Sequence, residues 1–163
     1  MIYLKLLLCL TGLSLIGAEP SSFQRYQKLK LIDKQLCAQN GQPVQLRGMS
    51  THGLQWHGWG RSLTAENLDV LAYRWKADIL RLAMYYDEGG YKTNPKYFRS
   101  MVDRLVEETH KRGMYSIIDW HVLKPGDPWE RLEQAKEFFT YMAKKHASKG
   151  TVLYEICNEP NGK

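Results

Sequence analysis

The spacing of apolar residues changes period along the chain, and the changes mark out elements. Residues 29–51, LKLIDKQLCAQNGQPVQLRGMST, alternate apolar with polar side chains, the period of a half-buried strand. Asp33-Lys34 and Asn40-Gly41 supply turn chemistry between short strands, so a hairpin is predicted over about 28–43 and a further strand over Val44 to Ser50. In LTAENLDVLAYRWK the period shifts to that of a helix, with Thr64 as N-cap and Leu68, Leu71 and Trp75 on one face. ADILRLAM follows as a short apolar run, a buried strand. Asn94-Pro95 then opens a longer helix with Pro95 at its first position. Its predicted stripe is Phe98, Met101, Val102, Leu105 and Val106, and Gly113 ends it. MYSIIDW is the next strand. Pro128 opens a further helix whose predicted inner face is Trp129, Leu132, Phe139, Met142 and Ala143, and after Gly150 the run TVLYEIC is another strand.

A hairpin followed by strand and helix in alternation predicts parallel strands joined by right-handed crossovers. Strand tips fall near residues 51, 84, 120 and 157, a spacing that suits βα units of about 30 or more residues. Two architectures have this order, a doubly wound sheet and a (β/α)8 barrel. The first calls for a G-x-G-x-x-G turn after its first strand. Here that turn reads GMSTHGLQWHGWG, with other glycine spacing and bulky residues in the gaps, so the barrel is preferred. Residues about 44–157 then supply four barrel strands of eight.

In parallel α/β folds the reactive groups gather at the carboxyl ends of strands. Every predicted tip carries polar or aromatic residues: His52 and Trp56, then Arg81 and Tyr85, then Asp119, Trp120 and His121, then Asn158 and Glu159. Arg81 lies inside an apolar strand, where a charge needs a partner. Asp119 is one candidate, and a carboxylate beyond this sequence is the other. His52 and His57 lie five apart in a loop with no third ligand in view, so no metal site is expected. His110 and His146 are placed at helix ends as solvated or capping residues.

Composition adds two constraints. The 163 residues carry a net charge of +6, but the basic residues are scattered among acids and form no stripe interleaved with aromatics, so nucleic acid is not the expected partner. Residues 1–18 have the form of a secretory signal peptide: Lys5, an apolar run of 11 residues from Leu6 to Ile16, and a small residue before a cut after Ala18. The run is too short to span a bilayer, which takes about 20 apolar residues. A secreted, extracellular protein with no membrane attachment after cleavage is therefore expected, its domain running over 19–163. Cleavage would remove Cys9. Cys37 and Cys157 could bridge in an exported protein, but nothing local brings them together, and both are read as small packed hydrophobes.

Four segments, LRGMSTHGLQWHG, ILRLAMYYDEGGY, YSIIDWHVL and VLYEICNEPNG, resemble in order and spacing the motifs of glycoside hydrolase family 5. The similarity is greatest to secreted bacterial endo-β-1,4-glucanases and runs from about Leu29 to Gly162. The resemblance implies a (β/α)8 barrel that hydrolyses β-1,4-glucan with retention, needs no cofactor, and is a monomer when complete. By motif, Glu159 would be the general acid/base and Asn158 would bond the sugar's 2-hydroxyl. Arg81 would hold the nucleophilic carboxylate. His52 and His121 would line the site, and Trp56 and Tyr85 would contact sugar. The chemistry asks for two carboxyl groups about 5–5.5 Å apart, one a proton donor and one an ionised nucleophile.

The sequence departs from the family in one respect. The family's nucleophile is a second glutamate on a later strand, and no residue here matches it. Glu155 precedes Glu159 by four residues, roughly 13 Å along a strand, and is too far to replace it. The expectation is thus the N-terminal half of such an enzyme, inactive and poorly folded alone, with Arg81 lacking its carboxylate. A β-mannanase or other β-glycanase of the family, or a short product that binds glycan without cutting it, are the rival readings.

Overall fold

A computed structural model describes residues 19–161; the apolar leader, its cut site and Cys9 lie outside them. The hairpin is present as β1 (Lys30–Ile32) and β2 (Gln35–Cys37), antiparallel with Ile32 opposite Gln35. Asp33 takes the left-handed backbone of its turn, at φ 53°. Gly41 does the same at φ 91°, and Pro43 returns beside Cys37. The strand predicted over Val44 to Ser50 is shorter: β3 is Gly48–Ser50. Its first residue already pairs with Ile79, where the neighbouring strand begins; before it Arg47 is bonded to Asp78, and Val44 donates its N–H to Leu36 of the hairpin instead.

Four strands form one parallel sheet in the order β3, β4 (Ile79–Tyr85), β5 (Tyr115–His121) and β6 (Val152–Glu155). Each step along the sheet is one crossover: short helices α2 (Trp59–Ser62) and α3 (Ala65–Asp69), then α4 (Pro95–Lys111), then α5 (Leu132–His146). α1 (Ser22–Tyr26) precedes the hairpin. The sheet is open among the described residues, with β3 and β6 at its edges. The expected strand and helix order is therefore present, without barrel closure.

One face of the sheet is apolar. Leu80, Leu82, Met84, Ile118 and Trp120 alternate onto it and pack against Phe98, Val102, Leu105 and Val106 of α4 and Phe138 and Met142 of α5. The predicted α4 stripe is buried throughout, the Asn94 side chain caps the helix, and Pro95 stands at its start. Two other stripes need correction. After α3 the chain widens into a π turn, Val70–Arg74, in which the Trp75 N–H donates to Val70. The extra residue per turn rotates Trp75 outward, leaving it 62% exposed while Leu68 is buried. Likewise Pro128–Arg131 is a 3-10 turn ahead of α5, so Trp129 points to solvent. The inner face of α5 is Ala135, Phe138, Met142 and His146, flanked by the predicted Phe139, which also packs on the core, whereas Ala143 is exposed.

Neither helix-end histidine is a solvated cap. His146 is buried, and its Nε2 meets Asp103 Oδ1 at 2.9 Å, joining α5 to α4. Asp103 also accepts from the Tyr141 hydroxyl and the Lys145 ammonium. His110 contacts Thr151 at the foot of β6 and lies edge-on to Phe23. Cys37 is buried, Cys157 is half-buried, and both are free thiols.

Asp78, just before β4, ties the foot of the sheet to α1. It is buried and accepts from the Ser22 hydroxyl, the Arg25 guanidinium and the Arg47 N–H. Asp78→Ala leaves these donors without an acceptor and is expected to destabilise the fold by about 3 kcal/mol. The shift in urea midpoint measures it; a change below about 1 kcal/mol would mean that water replaces the carboxylate fully.

Candidate active site

The second face of the sheet is polar. Alternation places Ser50, Arg81, Ala83, Tyr85, Asp119, His121 and Glu155 on it, opposite the helices. Register then stacks these residues in rows. Ser50, Arg81, Ile117 and Leu153 form one row, Ala83, Asp119 and Glu155 the next, and Tyr85 and His121 the last, at the strand tips.

Arg81 reaches up one row, over the space beside Ala83. Its Nε and Nη2 donate to the two oxygens of Glu155, each at 2.7 Å. Nη2 also donates to Asn158 Oδ1 at 3.0 Å and lies 2.9 Å from Asp119 Oδ2. The arginine predicted to lack a carboxylate therefore has two. Asp119 was among its candidate partners. Glu155 was not, and it makes the bidentate contact, the stronger geometry for a guanidinium. The Arg81 hydrogen bond holds the Glu155 carboxyl below the usual carboxylate range. Asp119 is fully buried, and loss of solvent pushes its carboxyl up, against the pull of His121 and Arg81. Among the described residues its Oδ1 has no hydrogen-bond partner.

Asp119 Oδ2 also meets His121 Nδ1 at 2.6 Å, which fixes the ring and turns Nε2 outward from the carboxylate. His121 stacks on Tyr85, with centroids 4.0 Å apart and planes 18° from parallel. Tyr85 continues to Trp56 at 4.7 Å, and Trp56 to His52 at 4.5 Å. His52 Nδ1 accepts from the Gly53 N–H, which leaves Nε2 to carry the ring proton. These four rings form a wall at the strand tips. Beside it a cleft of about 590 Å³ is lined by His52, Tyr85 and His121 and runs over the free β3 edge to Trp59, Leu63 and Leu71.

Asn158 and Glu159 follow β6. The Asn158 N–H donates to the Trp120 carbonyl, so this segment runs on along β5 beyond the strand proper. Glu159 is exposed with φ 37°, a left-handed backbone that a non-glycine residue adopts only when its surroundings impose it. The imposing contacts are in Asn161, whose N–H donates to Gly126 and whose side-chain amide donates to the Glu159 carbonyl. A Cβ at Gly126 would lie 2.4 Å from the Asn161 side-chain amide and would displace it. Thus the loop after β5 sets the turn that presents Glu159.

Six of the seven predicted site residues lie at or beyond the same end of the sheet, and Arg81, two rows below the tips, reaches up toward it. Arg81 and Asn158 are in direct contact, His121 reaches Arg81 through Asp119, and His52, Trp56 and Tyr85 join the wall. Glu159 follows Asn158 in sequence, and no hydrogen bond or ion pair holds its carboxylate among the described residues. Glu155, which the sequence reading weighs only as a nucleophile too far from Glu159, is the carboxylate that Arg81 holds. Strand alternation was the available signal, since it puts residues 153 and 155 on one face. Among the described residues no three His, Cys, Asp or Glu side chains gather as metal ligands.

Comparison with known proteins matches this arrangement to one family. The family model for cellulase, glycosyl hydrolase family 5, matches residues 37–163. Endoglucanase E-5 of Thermobifida fusca is 52% identical over 90% of this chain and 32% of its own length. Endoglucanase MaCel5A of a Microbulbifer species is 48% identical over 86% of this chain and 27% of its own length. The crystal structure of the T. fusca Cel5A catalytic domain superposes with a TM-score of 0.85 at 53% identity, covering 88% of this chain and 47% of that domain. A variant of that domain has been solved with cellotetraose. A β-mannanase of Streptomyces thermolilacinus, 17% identical with a TM-score of 0.57, shares the fold alone. The chain spans about a third of the length of the curated relatives it matches. On the match over residues 37–163, this chain belongs to glycosyl hydrolase family 5, the cellulase family.

Proposed function

We propose that this chain is the proton-donating half of a secreted endo-β-1,4-glucanase that acts with retention of configuration. The observation that carries the reading is the Arg81 cluster, which locks Asn158 at the strand tip immediately before Glu159. In this reading Glu159 protonates the departing glycosidic oxygen and then, as a base, activates water. Asn158 bonds the 2-hydroxyl of the sugar at the cleavage point. A nucleophilic carboxylate from a later strand, about 5–5.5 Å from Glu159, forms the glycosyl-enzyme bond. Arg81 ties the carboxyl groups of Asp119 and Glu155 together beneath the site. The ring wall of His52, Trp56, Tyr85 and His121 offers flat faces to sugar. The barrel would close through the later βα units of the family domain on the free edges of β3 and β6.

β-1,4-Glucan is preferred to β-mannan as substrate because the glucanase relatives are 48–52% identical, whereas the mannanase likeness is one of fold. The test is a chimeric domain in which residues 19–161 replace the matching segment of the T. fusca catalytic domain. It is expected to cleave carboxymethylcellulose at least about tenfold faster than galactomannan, and proton NMR should register the β-anomer first. Faster cleavage of mannan, first release of the α-anomer, or binding without cleavage would each overturn this reading.

A further inference from the structure

We infer that Glu155 is a positioning residue that decides which end of the Asn158 amide faces the substrate. This rests on the reading of Asn158 as partner of the sugar's 2-hydroxyl.

The argument starts from what a guanidinium can do. It has five N–H donors and no acceptor. The Asn158 atom that meets Arg81 Nη2 at 3.0 Å must therefore be its oxygen, and the NH2 end must turn the other way. Asn158 is buried, but its Nδ2 makes no hydrogen bond among the described residues and is not sealed from solvent. Apart from the second N–H of Arg81 Nη1, it is where this cluster still has donors to offer.

Arg81 can impose that choice only if its own plane is fixed. Glu155 fixes it with two bonds of 2.7 Å to Nε and Nη2, the fork geometry in which a guanidinium cannot rotate without breaking both. The remaining contacts do not suffice. Ser50 Oγ lies 3.3 Å from Nη1, and Asp119 approaches from one side through a single oxygen. Without the Glu155 carboxylate the guanidinium swings toward Asp119, and Asn158 is free to present either end.

The direction has a chemical consequence. An Asn158 amide that donates to the 2-hydroxyl leaves that hydroxyl's own proton for the ionised carboxylate that a retaining mechanism requires. A reversed amide accepts that proton instead, and the bond that strengthens in the transition state is lost.

The test uses the chimeric domain with Glu155→Gln, which keeps the shape and removes the charge. The substrates are an aryl β-cellobioside and its analogue lacking the 2-hydroxyl on the ring that is cleaved. Glu155→Gln is expected to lower kcat/KM about 10–100-fold on the first substrate, the effect of one hydrogen bond made in a buried site, and less than about threefold on the second. Equal losses on both would assign Glu155 a general electrostatic or structural role and overturn the inference, as would no loss on either. Glu155→Asp, which keeps the charge but shortens the fork, is expected to lose less with the same substrate dependence. The Asn158 side-chain amide signals in a 15N-labelled domain read the geometry without catalysis. They should be one sharp pair in the parent and broadened or doubled in Glu155→Gln. An unmoved pair overturns the inference even in an inactive protein, whereas an inactive parent with moved signals overturns only the glucanase reading.

Discussion

Glu159→Gln in the chimeric domain is expected to lower kcat on carboxymethylcellulose about 10²–10⁴-fold, the usual worth of a positioned general acid. The loss should depend on the leaving group. A glucan alkoxide leaves poorly without a proton, whereas a dinitrophenolate needs little help. With a dinitrophenyl cellobioside, formation of the glycosyl-enzyme should survive and only its hydrolysis should slow. A burst of phenol followed by slow turnover is the predicted trace, and azide, which needs no base, should speed the second phase. A variant that loses the same factor on both substrates, with no burst, would remove Glu159 from proton transfer. The glutamine keeps the side chain's size, and since Glu159 is exposed the change should leave stability within about 0.5 kcal/mol.

The largest effect on stability is expected at Arg81. Arg81→Met leaves Asp119 and Glu155 facing each other without a cation, and Asp119 is fully buried. Removing one partner of such a cluster costs about 3–5 kcal/mol. The lower figure is expected here, because Glu155 keeps some contact with solvent. The pH dependence separates this from simple loss of packing. In the parent, Arg81 holds Glu155 below its ordinary value of 4.5, so its contribution is complete above that pH and fades as acid protonates the folded carboxylate. In Arg81→Met both carboxylates are disfavoured as anions, so the penalty is present near neutrality and is relieved as pH falls. The gap between parent and variant, read from urea midpoints, should therefore be widest at pH 7 and narrow toward pH 4. A gap independent of pH would place the cost in packing.

Most of the fold could be read from periodicity because each strand is short, apolar and bounded, and because α4 carries its cap, its first-position proline and its stripe in plain view. The two stripe misreadings share a cause. A helical stripe presumes 3.6 residues per turn, and the π turn at Val70–Arg74 and the 3-10 turn at Pro128–Arg131 break that period, turning Trp75 and Trp129 outward. His146 looked like a helix-end residue because its partner Asp103 lies on another helix, 43 residues away. The site was legible as a set of strand tips, since alternation and tip position are local properties. The pairing of Arg81 with Glu155 was not, because it depends on the register between strands that are not neighbours. The sequence could propose a carboxylate for Arg81, but it could not say which row of the sheet the guanidinium would occupy.

That row also restricts what the position beside it can become. Arg81 crosses from its own row into the row that Ala83 shares with Asp119 and Glu155. Ala83 is buried and carries a single methyl group. In substitution terms, a larger side chain at 83 is expected to crowd this row, and a change at 81 is the natural compensation to test with it. Libraries that vary this strand one residue at a time are expected to favour alanine at 83, although it moves no proton.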